Sequence, residues 1–266
     1  FEKADLVLFG APFDSTTSNK AGTKYASRYL RMESYSSIES YSPYLEKDLH
    51  DLNVCDSGDL ELPYGNAKKT LEIIEGAVSE IFDANKKPLM IGGEHLLTLA
   101  AAKAAVKKYP DLVILHFDAH ADCADDILGE NLSHGTVIKR IWEIIGDGRI
   151  FQFGIRSGSK KEFLWCEKHT NLNKFNLNML KSIADCIKNR PVYVTFDVDV
   201  MDPSIMPSTG TPEGGGATYK EYIEAVKIIK GLNVIGADFM EYSPQIAESF
   251  SAVACGMLRE FIIAVS

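Results

Sequence analysis

The sequence predicts an α/β fold, with a mostly parallel sheet covered by helices on both faces. Three observations carry this reading. Short apolar runs alternate with segments of helical spacing along the chain. Runs such as Leu112-Val113-Ile114-Leu115 are continuously apolar, as in strands buried on both faces. Polar clusters follow directly on several of these runs, at the strand ends where such sheets carry their sites.

The elements follow in order. Leu6 to Phe9 and Leu52 to Cys55 read as strands. Thr70 to Asp83 carries Leu71, Ile74, Ala77, Val78 and Ile81 at helical spacing. Pro88 to Ile91 is a short strand ending in Gly92-Gly93, whose glycines allow a sharp backbone turn that sets His95 near the sheet edge. Leu96 to Lys108 is Ala-rich and helical, and Pro110 stops it. Leu112 to Phe117 is a strand, Thr136 to Ile145 a helix, and Ile150 to Ile155 and Val192 to Phe196 are strands. Thr218 to Lys230 is a helix opened by a capping box between Thr218 and Glu221. Val234 to Ala237 is a strand, and a helix runs from about Glu248 to Val265. No repeat or low-complexity segment interrupts the series, so residues 1–266 are expected to form one domain. Two long stretches without elements, Ala119 to Ser133 and Val198 to Ala217, are expected to be functional loops.

Composition narrows the function. The net charge of −9 argues against non-specific binding to nucleic acid or an anionic membrane, and suits a small cationic substrate. No apolar stretch of about 20 residues is present, so no membrane span is expected. The five cysteines are scattered and odd in number, which points to a reducing, cytoplasmic location. No dinucleotide or phosphate-binding glycine pattern occurs at the strand-to-helix turns, and no Ser-His-Asp nucleophile elbow is found.

The chemistry lies in the clusters at strand ends. In Asp118-Ala119-His120-Ala121-Asp122, alternation along extended chain lets residues at i, i+2 and i+4 share a face. Asp197-Val198-Asp199 follows its strand in the same manner, and His95 starts the segment after Gly92-Gly93-Glu94. Together His95, Asp118, His120, Asp122, Asp197 and Asp199 offer two imidazoles and four carboxylates, whose charge balances two divalent cations. Nitrogen and oxygen donors without thiolate suit manganese, or substituting cobalt, nickel or zinc. Two such ions about 3.5–4 Å apart can share carboxylates and a hydroxide nucleophile.

These motifs resemble the ureohydrolases, the arginase and agmatinase family, and agmatinases most of all. Gly92-Gly93-Glu94-His95 is similar to their Gly-Gly-Asp/Glu-His element, and Asp118 to Asp122 to their Asp-Ala-His-Thr-Asp. Ser133-His134-Gly135-Thr136 resembles the agmatinase His loop, and Phe196 to Pro212 the longest family signature. The resemblance implies a three-layer α/β/α, arginase-like fold with two Mn2+ per chain. His95, Asp118, Asp122 and Asp197 would hold one ion, and Asp118, His120, Asp197 and Asp199 the other, with Asp118 and Asp197 bridging. A metal-bridging hydroxide would attack the guanidinium carbon, Glu241 would bind the guanidinium, and His134 would deliver the proton to the leaving amine. The reaction implied is hydrolysis of agmatine to putrescine and urea, a step of polyamine biosynthesis, by a homo-oligomer such as a trimer or hexamer.

The chain departs from the family pattern at Ala121 for Thr, Met206 for Ala and Ser208 for Gly, none of them a ligand position. The acidic stretch Asp125 to Glu130 lacks Arg or Lys and is expected to receive a free ammonium, favouring agmatine over arginine or guanidinobutyrate. A single-zinc deacetylase of acetylated amines and a non-enzymatic polyamine sensor are the alternatives. Both would ordinarily lack some of the six ligands. Of the remaining candidates, His116 reads as a core histidine or one behind the ligands, Cys123 as a passive loop residue, Asp202 as a turn residue, Trp142 and Trp165 as packing residues, and His50 and His169 as surface residues.

Overall fold

The seven predicted strands all enter one eight-stranded sheet in the computed structural model, which describes residues 1–266. In chain order the elements are β1 Leu6–Gly10, α1 Ala26–Ser37, β2 Tyr41–Ser42, β3 Lys47–Asp48, β4 Val54–Asp59, α2 Ala67–Asp83, β5 Lys87–Ile91, α3 Thr98–Lys108, β6 Val113–Phe117 and α4 Val137–Ile145. They continue with β7 Ile150–Ile155, α5 Lys160–His169, β8 Asn171–Lys174, α6 Leu180–Ile187, β9 Val192–Asp197, α7 Tyr219–Ile229, β10 Val234–Met240 and α8 Ser251–Val265. The sheet order is β4-β1-β5-β10-β9-β6-β7-β8, and every neighbouring pair is parallel. β2 and β3 form a separate antiparallel ribbon.

Alternation along the strands builds two cores. On β6, Val113, Leu115 and Phe117 face one side, with α1, α6, α7 and α8, while Ile114 faces the other, with α2, α3 and α4. The sheet is therefore the middle of three layers, α/β/α. Its four central strands, β5, β10, β9 and β6, are the ones whose carboxyl ends carry the polar clusters. Parallel pairing brings those four ends to one edge.

Some boundaries differ from the sequence reading for identifiable reasons. β10 continues past Ala237 to Met240 because Asp238, a carboxyl where an apolar residue was expected, is fully buried and hydrogen-bonded. Its continuation delivers Glu241 to the strand end. β4 is an edge strand shifted to Val54–Asp59, since Leu52 closes a 3-10 turn over Leu49–Asp51. α2 starts earlier, with Asn66 accepting the Lys69 N–H as its cap. The capping box of Thr218 and Glu221 forms as predicted.

Gly92-Gly93 carries the chain from β5 into the 3-10 turn His95–Leu97, as expected. Neither glycine has positive φ, so no left-handed turn is needed. Gly93 instead permits close approach: its N–H donates to Ala11 O (3.1 Å), and a Cβ there would lie 2.0 Å from Phe13 O. Gly93→Ala should force the Ala11–Phe13 segment and the His95 turn apart. The expected loss is about 1–3 kcal/mol, read as a lower midpoint in urea denaturation. An unchanged midpoint would contradict this packing.

Candidate metal centre

His95, Asp118, His120, Asp122, Asp197, Asp199, His134 and Glu241 gather at the carboxyl edge of the four central strands. His95 opens a 3-10 turn after β5, Asp118 to Asp122 follow β6, Asp197 ends β9, and Glu241 follows β10. His95 Nδ1 lies 3.0 Å from Asp118 Oδ2, 3.2 Å from Asp122 Oδ2 and 3.2 Å from Asp197 Oδ2. His120 Nδ1 lies 2.9 Å from Asp199 Oδ2 and 3.5 Å from Asp118 Oδ1. Asp118 thus turns one oxygen to each group. Asp197 offers Oδ2 to the first group, and its Oδ1 accepts the Asp199 N–H (2.9 Å).

The donor set suits metal ions. His95 Nδ1 is fully buried and has no hydrogen-bond partner, although three carboxylate oxygens surround it. Four aspartates sit together with little or no exposure. Burial, reinforced by the charges of Asp199 and Asp118, pushes the Asp197 carboxyl well above its usual range. Burial likewise pushes Glu241 well above its usual range. Cations placed between these groups relieve both the repulsion and the unmatched nitrogen.

Backbone conformation at two of these residues is unusual. Asp122 (φ 50°) and Glu241 (φ 60°) occupy the left-handed region, where a non-glycine residue is held against its preference. Neighbouring hydrogen bonds hold them there. Ile138 N donates to Asp122 O (2.9 Å), Glu241 N donates to Gly93 O (3.1 Å), and Glu241 Oε1 accepts the His95 N–H (2.7 Å).

Several contributors escaped the sequence reading. The loop after β1 covers the site: Thr16 donates its N–H to Glu94 (2.7 Å), and Ser18 donates its N–H to His134 Nε2 (3.2 Å). Burial raises Glu94 to about 7, against the pull of the Thr16 hydrogen bonds. The polar run Asp14 to Lys20, a few residues after a strand, was the available signal. Behind His95, its Nε2 meets Thr195 Oγ1 (2.8 Å), while Thr98 Oγ1 and Tyr193 OH donate to Asp238 Oδ2 (2.9 and 3.0 Å). Arg156 donates to the carbonyls of Gly154, Asp199, Val200, Met201, Glu213 and Gly214, tying the Val198 to Ala217 loop to the end of β7. An isolated arginine gives no such sign in sequence.

The remaining candidates resolve as follows. His116 hydrogen-bonds Asp118. Asp202 is a turn residue: Oδ1 accepts Ser204 N–H, and Oδ2 accepts those of Gly215 and Gly216. Cys123 is buried, with its Sγ 3.0 Å from that of Cys166. Trp142 and Trp165 pack edge to face, and His169 is half-buried against both rather than a free surface residue. His50 is exposed. The acidic loop is largely spoken for, because Asp125 pairs with Lys139 and Lys161 and Asp126 accepts the Gly129 N–H (2.8 Å). A cavity of about 190 Å³ has His120, Asp122, Ile127, His134 and Glu162 in its lining, and no Lys or Arg.

Comparisons with known proteins bear on the family and the fold. A profile of the arginase family matches residues 4–264. An agmatinase of Bacillus anthracis is 45% identical over 248 residues, 92% of this chain and 85% of the relative. An agmatinase of Bacillus subtilis (strain 168) is 43% identical over 269 residues, 99% of this chain and 92% of the relative. A crystal structure from Clostridium difficile superposes with a TM-score of 0.97 at 44% identity, covering 100% of this chain and 98% of that one. No helix is long and apolar enough to cross a membrane.

Proposed function

The chain belongs to the arginase family, and from that premise we propose that it is a dinuclear-manganese ureohydrolase, one catalytic domain over residues 1–266, that hydrolyses agmatine to putrescine and urea. The observation that carries the metal reading is the division of Asp118 between two donor groups, beside the unpartnered His95 Nδ1. His95, Asp118, Asp122 and Asp197 would hold one ion, and Asp118, His120, Asp197 and Asp199 the other. When bound, such ions would supply a nucleophile at neutral pH by lowering the pKa of water.

The chain's own residues do the rest. The Glu241 carboxylate binds the guanidinium, and its Oε1 is already anchored by the His95 N–H. His134 relays a proton to the leaving amine. The Ser18 N–H can only donate, so His134 Nε2 accepts, and the ring proton sits on Nδ1, 4.0 Å from Glu241 Oε1. Burial lowers the His134 pKa, which keeps the ring neutral at rest and ready to take up the proton it passes on.

The cavity favours agmatine over arginine. A carboxylate on the substrate would meet no lysine or arginine in the lining, whereas an ammonium would meet Glu162. Glu162, whose Oε2 accepts the Ser159 N–H (2.8 Å), keeps its other oxygen for that ammonium, whereas Asp125 is paired to two lysines. The test is urea release from agmatine, arginine and guanidinobutyrate after manganese loading. Agmatine should exceed both others in kcat/KM by at least about tenfold, the discrimination that about 1.4 kcal/mol supplies. Faster turnover of arginine would sink the substrate assignment. One zinc per chain with release of acetate from acetylated amines would sink the reaction class. A cytoplasmic location and a trimer or hexamer belong to the same proposal.

A further inference from the structure

Asp118 is held from behind by a buried chain of hydrogen bonds that ends on β7. Its Oδ1 accepts the His120 backbone N–H (2.5 Å), and its Oδ2 lies 2.8 Å from His116 Nε2. His116 is fully buried inside β6. Its other ring nitrogen, Nδ1, lies 3.2 Å from the side-chain nitrogen of Gln152, itself fully buried.

The proton on His116 can be located from these neighbours. The Ala121 carbonyl can only accept, and it sits 3.0 Å from the Gln152 side-chain nitrogen, so the amide N–H2 faces that way. The Gln152 Oε1, on the opposite side, lies 2.7 Å from the Thr170 hydroxyl, whose one proton it shares with the Cys166 carbonyl at 2.9 Å. The second amide hydrogen therefore points to His116 Nδ1, which accepts it, and the ring proton sits on Nε2. A protonated nitrogen has no lone pair for a metal. His116, although its ring lies close to His95, Asp118 and Asp122, is thereby set up as a donor to Asp118 rather than as a third imidazole ligand.

We propose that His116, oriented by Gln152, is a positioning residue that fixes the carboxylate plane of Asp118 so that its two oxygens face the two donor groups. Hydrogen bonds to separate oxygens leave the carboxylate no rotational freedom, and each oxygen keeps a lone pair for an ion. Gln152 also grips the Ala121 carbonyl, so one side chain steadies both the bridging candidate and the link between His120 and Asp122. This rests on the dinuclear reading above.

The experiment titrates the purified chain with manganese alone. It measures ions bound per chain, the dissociation constant and the exchange-coupled manganese EPR signal, with thermal melting as the control for folding. His116→Phe, which keeps an aromatic ring but not the donor, should weaken binding of at least one ion by roughly 10–100-fold and diminish the coupled signal. His116→Gln, whose side-chain N–H can reach Asp118, should stay within about threefold of the unaltered chain, the rescue that a donor role requires. Agmatine turnover should fall in kcat with occupancy while KM stays nearly constant. Wild-type affinity in His116→Phe overturns the inference, and so does equal weakening by Phe and Gln, which would make the ring a ligand or a packing element. If His116→Phe fails to fold, Gln152→Leu carries the test: a severalfold loss of affinity supports the relay, and unchanged affinity overturns it. An unaltered chain that binds no manganese overturns the underlying reading instead.

Discussion

Replacing Asp118 by Asn should abolish measurable urea release and reduce bound manganese below two ions per chain. Asp118 turns one carboxylate oxygen to each donor group, at 3.0 Å from His95 and 3.5 Å from His120. Asparagine keeps the shape and one acceptor, so the fold should survive, but it removes a negative charge from between two cations. Partners behind a ligand are worth about 10–100-fold, and a shared ligand should exceed that. Metal analysis and a urea assay on the same preparation decide the outcome. Full activity with two ions bound would contradict the site.

The second large effect is expected at Glu241. Glu241→Gln keeps an oxygen to accept the His95 N–H, so the turn after β10 should hold. What is lost is the charge opposite the guanidinium. Removing one partner of a buried charged pair costs about 2–5 kcal/mol, which lowers kcat/KM for agmatine by roughly 30- to 5000-fold. Manganese content should remain that of the unaltered chain, which separates this variant from Asp118→Asn. Unchanged kcat/KM would remove Glu241 from the substrate site.

The contrast between these residues and their supports explains what the sequence could tell. Asp118, His120, Asp122, Asp197 and Asp199 are legible because each cluster follows an apolar run at a strand end, but they converge through the left-handed backbone at Asp122 and the 3-10 turn Val198–Val200, not through the extended alternation the sequence suggested. Gln152, Asp238 and Thr16 act from behind, each on a different element, and no local spacing links Gln152 to His116, 36 positions away. The same physics governs the elements. α1 buries only Ala26, Ser27 and Leu30, and α5 only Cys166, so neither shows an apolar stripe and neither is in the sequence reading. α6 has a stripe, Leu180, Ile183, Ala184 and Ile187, but runs only eight residues. β8, Asn171–Lys174, is an edge strand with no fully buried side chain. The gathered acidic residues of the 125–130 loop misled in the other direction, because sequence does not show that Lys139 and Lys161 already take the Asp125 charge.

The left-handed backbone at Asp122 and Glu241 bears on how such a protein would respond to breeding for robustness. Each position stores strain of about 1–3 kcal/mol, which glycine would release. At Glu241 the lost acceptor for the His95 N–H offsets that release, so a library screened only for survival on heating should enrich glycine at Asp122 and yield sturdier proteins that no longer work. Any thermal selection on this scaffold needs a simultaneous demand for turnover, or it will select against the site itself.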